Sequence, residues 1–134
     1  NPEVGKPGFV LKDDEIEYGV GIHSEPGYRR EKIKPSKELV EELVGKLNNE
    51  MHLDGNKKYA CLVNGMGATP LMEQYIFAND VLNKLQEFNI KPSFMKIGNY
   101  MTSIDMAGIS LTLFEIKDAK WLDYLNYPVK TIAW

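Results

Sequence analysis

Three stretches of the chain carry residue types able to do chemistry. The first is Gly19-Val20-Gly21-Ile22-His23-Ser24-Glu25-Pro26-Gly27, which places one histidine on a glycine-dense loop. A neutral imidazole with pKa near ~6.5 can act as nucleophile, base or donor at cellular pH. The flanking glycines let another group approach closely. A loop histidine bonded to its own turn is the competing reading. The second stretch is Val63-Asn64-Gly65-Met66-Gly67-Ala68-Thr69-Pro70. Glycines feeding a helix start can expose N–H groups to an anion, and tight strand-to-helix packing explains them equally. No Gly-Lys-Ser/Thr follows, and the dinucleotide spacing is absent. The third, Asn99-Tyr100-Met101-Thr102-Ser103-Ile104-Asp105-Met106, offers hydroxyls, an amide and one carboxylate. Asp105 has no carboxylate partner in sequence, and a turn-stabilising role suits it. Arg29, Arg30 and Lys32 form a basic cluster that reads as a solvated rim, and His52 reads as solvent-exposed.

The surrounding elements must position these residues. Ile16 to Ile22 alternates apolar with small or polar residues, the period of a strand, and stops at the Glu25-Pro26-Gly27 turn cluster. Ser36 can cap a helix to about Leu47, with Leu39, Leu43 and Leu47 on one face. Tyr59 to Val63 is a short apolar run suited to a strand buried on both faces. Thr69 suits an N-cap, and Pro70 suits the first position of a helix running to about Phe88. That helix would present Leu71, Tyr75, Leu82, Leu85 and Phe88 as its apolar face, and Asn89-Ile90-Lys91-Pro92 would stop it. Ser93–Gly98 and Gly108–Ile116 read as strands. A short helix from about Lys120 to Leu125 precedes a last strand, Val129–Trp134. The order predicts an α/β fold, a mixed sheet with helices on its faces.

The chain has 134 residues, 43% hydrophobic and 26% charged, values of one ordinary globular domain. Residues 1–15, with their Pro-Gly steps and the charge run Lys12-Asp13-Asp14-Glu15, read as a connecting arm, and 16–134 as the domain. A net charge of −3 argues against a nucleic-acid surface. No apolar run approaches the ~20 residues of a membrane helix. Cys61 is the only cysteine, which excludes an internal disulfide and fits a reducing cytoplasm. Two histidines and one cysteine are too few for a zinc cage, so no metal site is expected.

Gly19 to Gly27 resembles the Gly-Ile-His-Gly-Glu-Pro-Gly motif of the dihydroxyacetone kinase substrate-binding subunit, with Ser24 in place of the central glycine. Val63 to Leu71, Tyr100 to Gly108 and Val129 to Trp134 resemble further blocks of that family in the same order. The resemblance implies the C-terminal half of a two-domain subunit, without the N-terminal domain that carries a Gly-His-Glu-Pro loop. It implies that His23 holds dihydroxyacetone covalently as a hemiaminal, with Glu25 and the flanking glycines shaping the loop. The domain itself would bind no cofactor. ADP or ATP with magnesium would sit on a separate nucleotide-binding subunit, recharged from phosphoenolpyruvate through a phosphotransferase-system phosphocarrier. A homodimer is also implied. The family includes a paralogue that binds dihydroxyacetone as co-activator of a transcription regulator, and that role is the alternative expectation.

Overall fold

The computed structural model describes residues 5, 10–21, 25–103 and 106–134. The chain packs as two compact units, Asn1–Pro35 and Ser36–Trp134. The smaller is built on a hairpin of β1 (Glu15–Tyr18) and β2 (Arg29–Lys32), antiparallel with Glu15 opposite Lys32 and Tyr18 opposite Arg29. The strand expected over Ile16–Ile22 therefore ends four residues early. Gly19 takes a left-handed φ of 73° and turns the chain out of the ladder. Sequence patterning missed β2 because Arg-Arg-Glu-Lys has no apolar alternation. Pairing with β1 and cross-strand charge make it a strand: Arg30 Nε lies 2.9 Å from Glu17 Oε2 and Lys32 Nζ 3.7 Å from Asp14.

The larger unit follows the order α1 (Ser36–Met51), β3 (Tyr59–Gly65), α2 (Leu71–Gln86), β4 (Phe94–Gly98), β5 (Ile109–Glu115) and α3 (Ala119–Asn126). Its sheet runs β4-β3-β5, with β3 parallel to β4 and antiparallel to β5, so the expected mixed sheet is present. Register sets the two faces. Cys61 lies beside Met95 and Leu113, and with Tyr59, Val63, Ile97, Ile109 and Leu111 these form the face packed on the helices. Val40 and Val44 of α1 and Phe77, Ala78, Val81 and Leu85 of α2 complete this core, all at 3% exposure or less. The opposite face carries Phe94, Lys96 and Phe114, and the Phe114 ring sits 5.5 Å from Trp121 of α3.

Helix α1 runs one turn past Leu47, because Leu47 and Met51 continue the stripe against the core. It closes at His52, exposed as expected, whose left-handed φ of 52° leaves its N–H bonded to Asn48 O at 2.8 Å. The Ser36 hydroxyl is buried without a partner, so it does not cap α1. Helix α2 and the turn after it present inward a face that shares Leu85 and Phe88 with the one expected but not the rest of it. Gln74, Phe77, Ala78, Val81 and Leu85 are buried, while Leu71, Tyr75 and Leu82 are exposed. Apolar residues ring this helix at several compatible spacings, so periodicity alone could not choose the stripe. It ends at Gln86, and the turn after it closes at Asn89, left-handed at φ 58°, with Ile90 N–H reaching back to Leu85 O at 3.0 Å. No strand forms over Val129–Trp134. The Thr131 hydroxyl bonds both the N–H and the C=O of Trp134 at 2.8 Å and bends the segment into a turn.

Burial among these side chains pushes the Cys61 thiol up to about 12. The unfolded thiol, near ~8.5, ionises first, so stability is lost as pH rises from about 9 towards 12. Urea unfolding across that range should show this slope, up to about 1.4 kcal/mol per pH unit, shrink in Cys61→Ala.

Candidate functional site

The β1–β2 hairpin holds the ends of the loop that carries His23. His23 itself, with Ile22 and Ser24, lies outside the described residues. Around that segment the Gly21 N–H donates to Glu25 C=O at 3.0 Å, and Tyr28 N–H donates to Tyr18 C=O at 2.9 Å. Glu25 is exposed, and its carboxylate folds over Gly21, where a Cβ would collide with Oε2. Glu25 thus sets a backbone acceptor and a carboxylate against Gly21.

The main anchor is a residue that the sequence did not single out. Glu17 keeps its side chain only 5% exposed, accepts the Gly27 N–H at 2.8 Å and pairs with Arg30. A buried carboxylate needs such a cation and donor together. The only sequence signal was an acidic residue at an alternating position of the first strand. Gly27 lies close to the hairpin backbone, and a Cβ there would strike the Tyr18 carbonyl oxygen. Beside them the Tyr18 and Tyr28 rings stand 6.0 Å apart, with the Arg29 guanidinium 4.9 Å above Tyr18. Arg29 and Arg30 therefore brace the hairpin with their own contacts.

In the larger unit, the second and third stretches meet at the carboxyl ends of β3 and β4. Asn64, 3% exposed, accepts the N–H groups of Tyr100 at 2.8 Å and Met101 at 2.9 Å. Its amide nitrogen donates to Met101 C=O at 2.8 Å and to Ser110 Oγ at 3.3 Å. Gln74, 1% exposed, donates to Thr69 C=O and Asn99 Oδ1. Gly65 is glycine because a Cβ would occupy the space of those two amides.

Two of the amides in the Gly65–Ala68 stretch are engaged within the protein and not offered to an anion. Met66 N–H is bonded to Gly108 C=O and Ala68 N–H to Met106 C=O, so both are already spent. Thr69 does not cap α2: Pro70 stands at the N-cap with no side-chain cap bond, and the Thr69 hydroxyl donates to Gly108 C=O at 2.7 Å. Burial raises the Tyr100 phenol above its usual range, with a smaller contribution from Tyr75. Asp105, like Ile104, lies outside the described residues. Among the described residues no group of three His, Cys, Asp or Glu side chains could hold a metal, and no helix is long and apolar enough to cross a membrane.

A family model described as the Dak1 domain matches residues 1–133. The chain belongs to the Dak1 family. This Dak1 chain is 68% identical over 133 residues to the dihydroxyacetone-binding subunit DhaK of a phosphotransferase-system-dependent dihydroxyacetone kinase from Lactococcus lactis, covering 99% of the chain and 40% of that relative. It is 52% identical over 131 residues to the DhaKLM operon coactivator DhaQ of the same species, covering 96% of the chain and 40% of that relative. A solved structure of a dihydroxyacetone kinase operon co-activator superposes with a TM-score of 0.86 at 52% identity, covering 92% of this chain and 38% of that one. The Dak1 chain thus spans about two fifths of the length of the curated relatives it matches.

Two substitutions test the geometry. Gly27→Ala should cost about 1–3 kcal/mol by displacing the Tyr18 carbonyl and breaking the Glu17 bond, read as a lower melting temperature with β1–β2 amide exchange accelerated. Asn64→Asp puts an oxygen against Met101 C=O and should cost about 2–3 kcal/mol in urea unfolding.

Proposed function

We propose that this domain captures dihydroxyacetone through His23 and presents it for phosphorylation. The observation that supports this most is the 68% identity, over nearly the whole chain, to a relative named as a dihydroxyacetone-binding subunit, against 52% to the co-activator. The hairpin adds a loop pinned at both ends by Gly21–Glu25 and Gly27–Glu17 bonds, with His23 in the segment between them.

The reaction is an addition without a leaving group. One ring nitrogen of neutral His23 bonds to the carbonyl carbon of the triose, and the C=O π pair passes to oxygen. The proton lost from the other ring nitrogen ends on that oxygen, giving a neutral hemiaminal. Glycerol has no carbonyl and is excluded by chemistry rather than by shape. Covalent capture fixes the terminal hydroxyl, and positioning is what phosphoryl transfer chiefly requires. In this reading Glu25 shapes the loop. A separate nucleotide-binding subunit carries ADP or ATP with magnesium and delivers the phosphoryl group. A phosphotransferase-system phosphocarrier recharges it from phosphoenolpyruvate, and the protein works in the cytoplasm as a homodimer.

The second reading is a dihydroxyacetone-sensing co-activator of a transcription regulator. It is favoured by the TM-score of 0.86 to the co-activator structure. Supplying the nucleotide-binding subunit and a phosphoryl donor separates the two: dihydroxyacetone phosphate forms on the first reading, and ligand is bound without product on the second. For the capture step, native mass spectrometry with dihydroxyacetone should show the protein heavier by one intact triose, reversibly on dilution and not with glycerol. His23→Ala should abolish the adduct. Retention of it in that variant would remove His23 from the mechanism.

A further inference from the structure

The segment following α3 crosses the sheet face opposite the core with almost no regular structure, yet its end is held by a specific set of contacts. Trp134 stacks on Phe94 at 6.0 Å and an interplanar angle of 16°, and meets Tyr100 at 5.3 Å and 56°. The Lys96 ammonium lies 3.8 Å from the Trp134 ring centroid and 5.6 Å from that of Tyr100. Phe94 and Lys96 are alternate residues of β4 and share one face of the sheet. The Thr131 hydroxyl fixes the turn that delivers the indole, through its two bonds to the Trp134 backbone. Beneath this segment lies a pocket of about 260 Å³, walled by Phe94, Lys96, Leu125, Tyr127, Val129 and Trp134 among others. The segment's own outer side chains stay wet: Tyr127 is 69% exposed and Ile132 fully so. Apolar burial along its length therefore does not hold it, and the contacts at Trp134 must.

Tyr100 gives the latch a second consequence. Its ring meets Trp134, while its N–H is one of the two amides that Asn64 accepts. We propose that residues 127–134 form a strap latched by Trp134 against Phe94, Lys96 and Tyr100, and that the same latch steadies the 99–101 turn at the carboxyl ends of β3 and β4. A cation over an indole face is an electrostatic contact that a neutral side chain of equal length does not make. Lys96→Met therefore removes the attraction and keeps the packing stem, whereas Lys96→Arg retains a cation.

The test measures backbone order parameters for 127–134 and amide exchange of Tyr100 and Met101 in the two variants and the parent protein. Lys96→Met should drop the strap below an order parameter of ~0.6 and speed exchange at Tyr100 and Met101 about threefold to tenfold. Lys96→Arg should resemble the parent, and Val63 and Leu113 in the core should stay unchanged. An unaltered strap in Lys96→Met overturns the latch. A loosened strap with Tyr100 and Met101 unchanged overturns the coupling, and equal acceleration at Val63 and Leu113 reduces the effect to general destabilisation and overturns both. Trp134→Ala is the independent check, expected to match Lys96→Met. Because Lys96 is only half-buried, its variants keep the proposal testable if the Trp134 variant does not fold.

Discussion

A backbone that leaves a buried strand carries N–H groups that must find acceptors away from water, and this need governs both polar loops of the chain. In the hairpin the acceptor is Glu17, a nearly buried carboxylate that receives the Gly27 N–H and is neutralised by Arg30. In the larger unit it is Asn64, whose oxygen receives two successive N–H groups while its nitrogen returns a bond to the Met101 carbonyl. A carboxamide carries donor and acceptor on one plane, so Asn64 serves the 99–101 turn as a neighbouring strand would. Gln74 acts as a donor only, from its amide nitrogen to the Thr69 carbonyl and the Asn99 side-chain oxygen. Glycines stand where these polar groups need the room, at Gly65 and Gly27.

The chemistry proposed for His23 asks little of its surroundings beyond position. Addition of imidazole to a ketone needs no strong acid and no metal, but it needs the ring held where the carbonyl arrives. On either side of the segment that carries His23, the Gly21 N–H bonds to the Glu25 carbonyl and the Gly27 N–H to Glu17. The phosphoryl step is different in kind, requiring a nucleotide and magnesium that the proposal assigns to another subunit.

Much of the fold was legible because burial writes itself into sequence. The apolar run Tyr59–Val63 became the central strand, and the alternating runs before and after Asn99–Met106 became its two neighbours. The left-handed Asn89 closes the turn after α2, as its residue type suggests. The misreadings have particular causes. Strand β2 is held by charge pairs with β1 and shows no hydrophobic period. Val129–Trp134 has the composition of a strand, but Pro128 precedes it and Thr131 prefers its local bonds to Trp134. Thr69 looked like a cap, yet Pro70 takes the N-cap position and the Thr69 hydroxyl donates to the Gly108 carbonyl.

By itself the sequence determined the α/β class, the mixed sheet and the family, since these follow from periodicity and from four ordered motifs along the chain. Only the tertiary structure decided which face of α2 is buried, that Glu17 anchors the hairpin, and that Asn64 holds the 99–101 turn. The physical reason is range. Periodicity is a local property, whereas a hydrogen bond between residues 64 and 100, or an indole resting on Lys96, exists only once distant segments have been brought within a few ångströms.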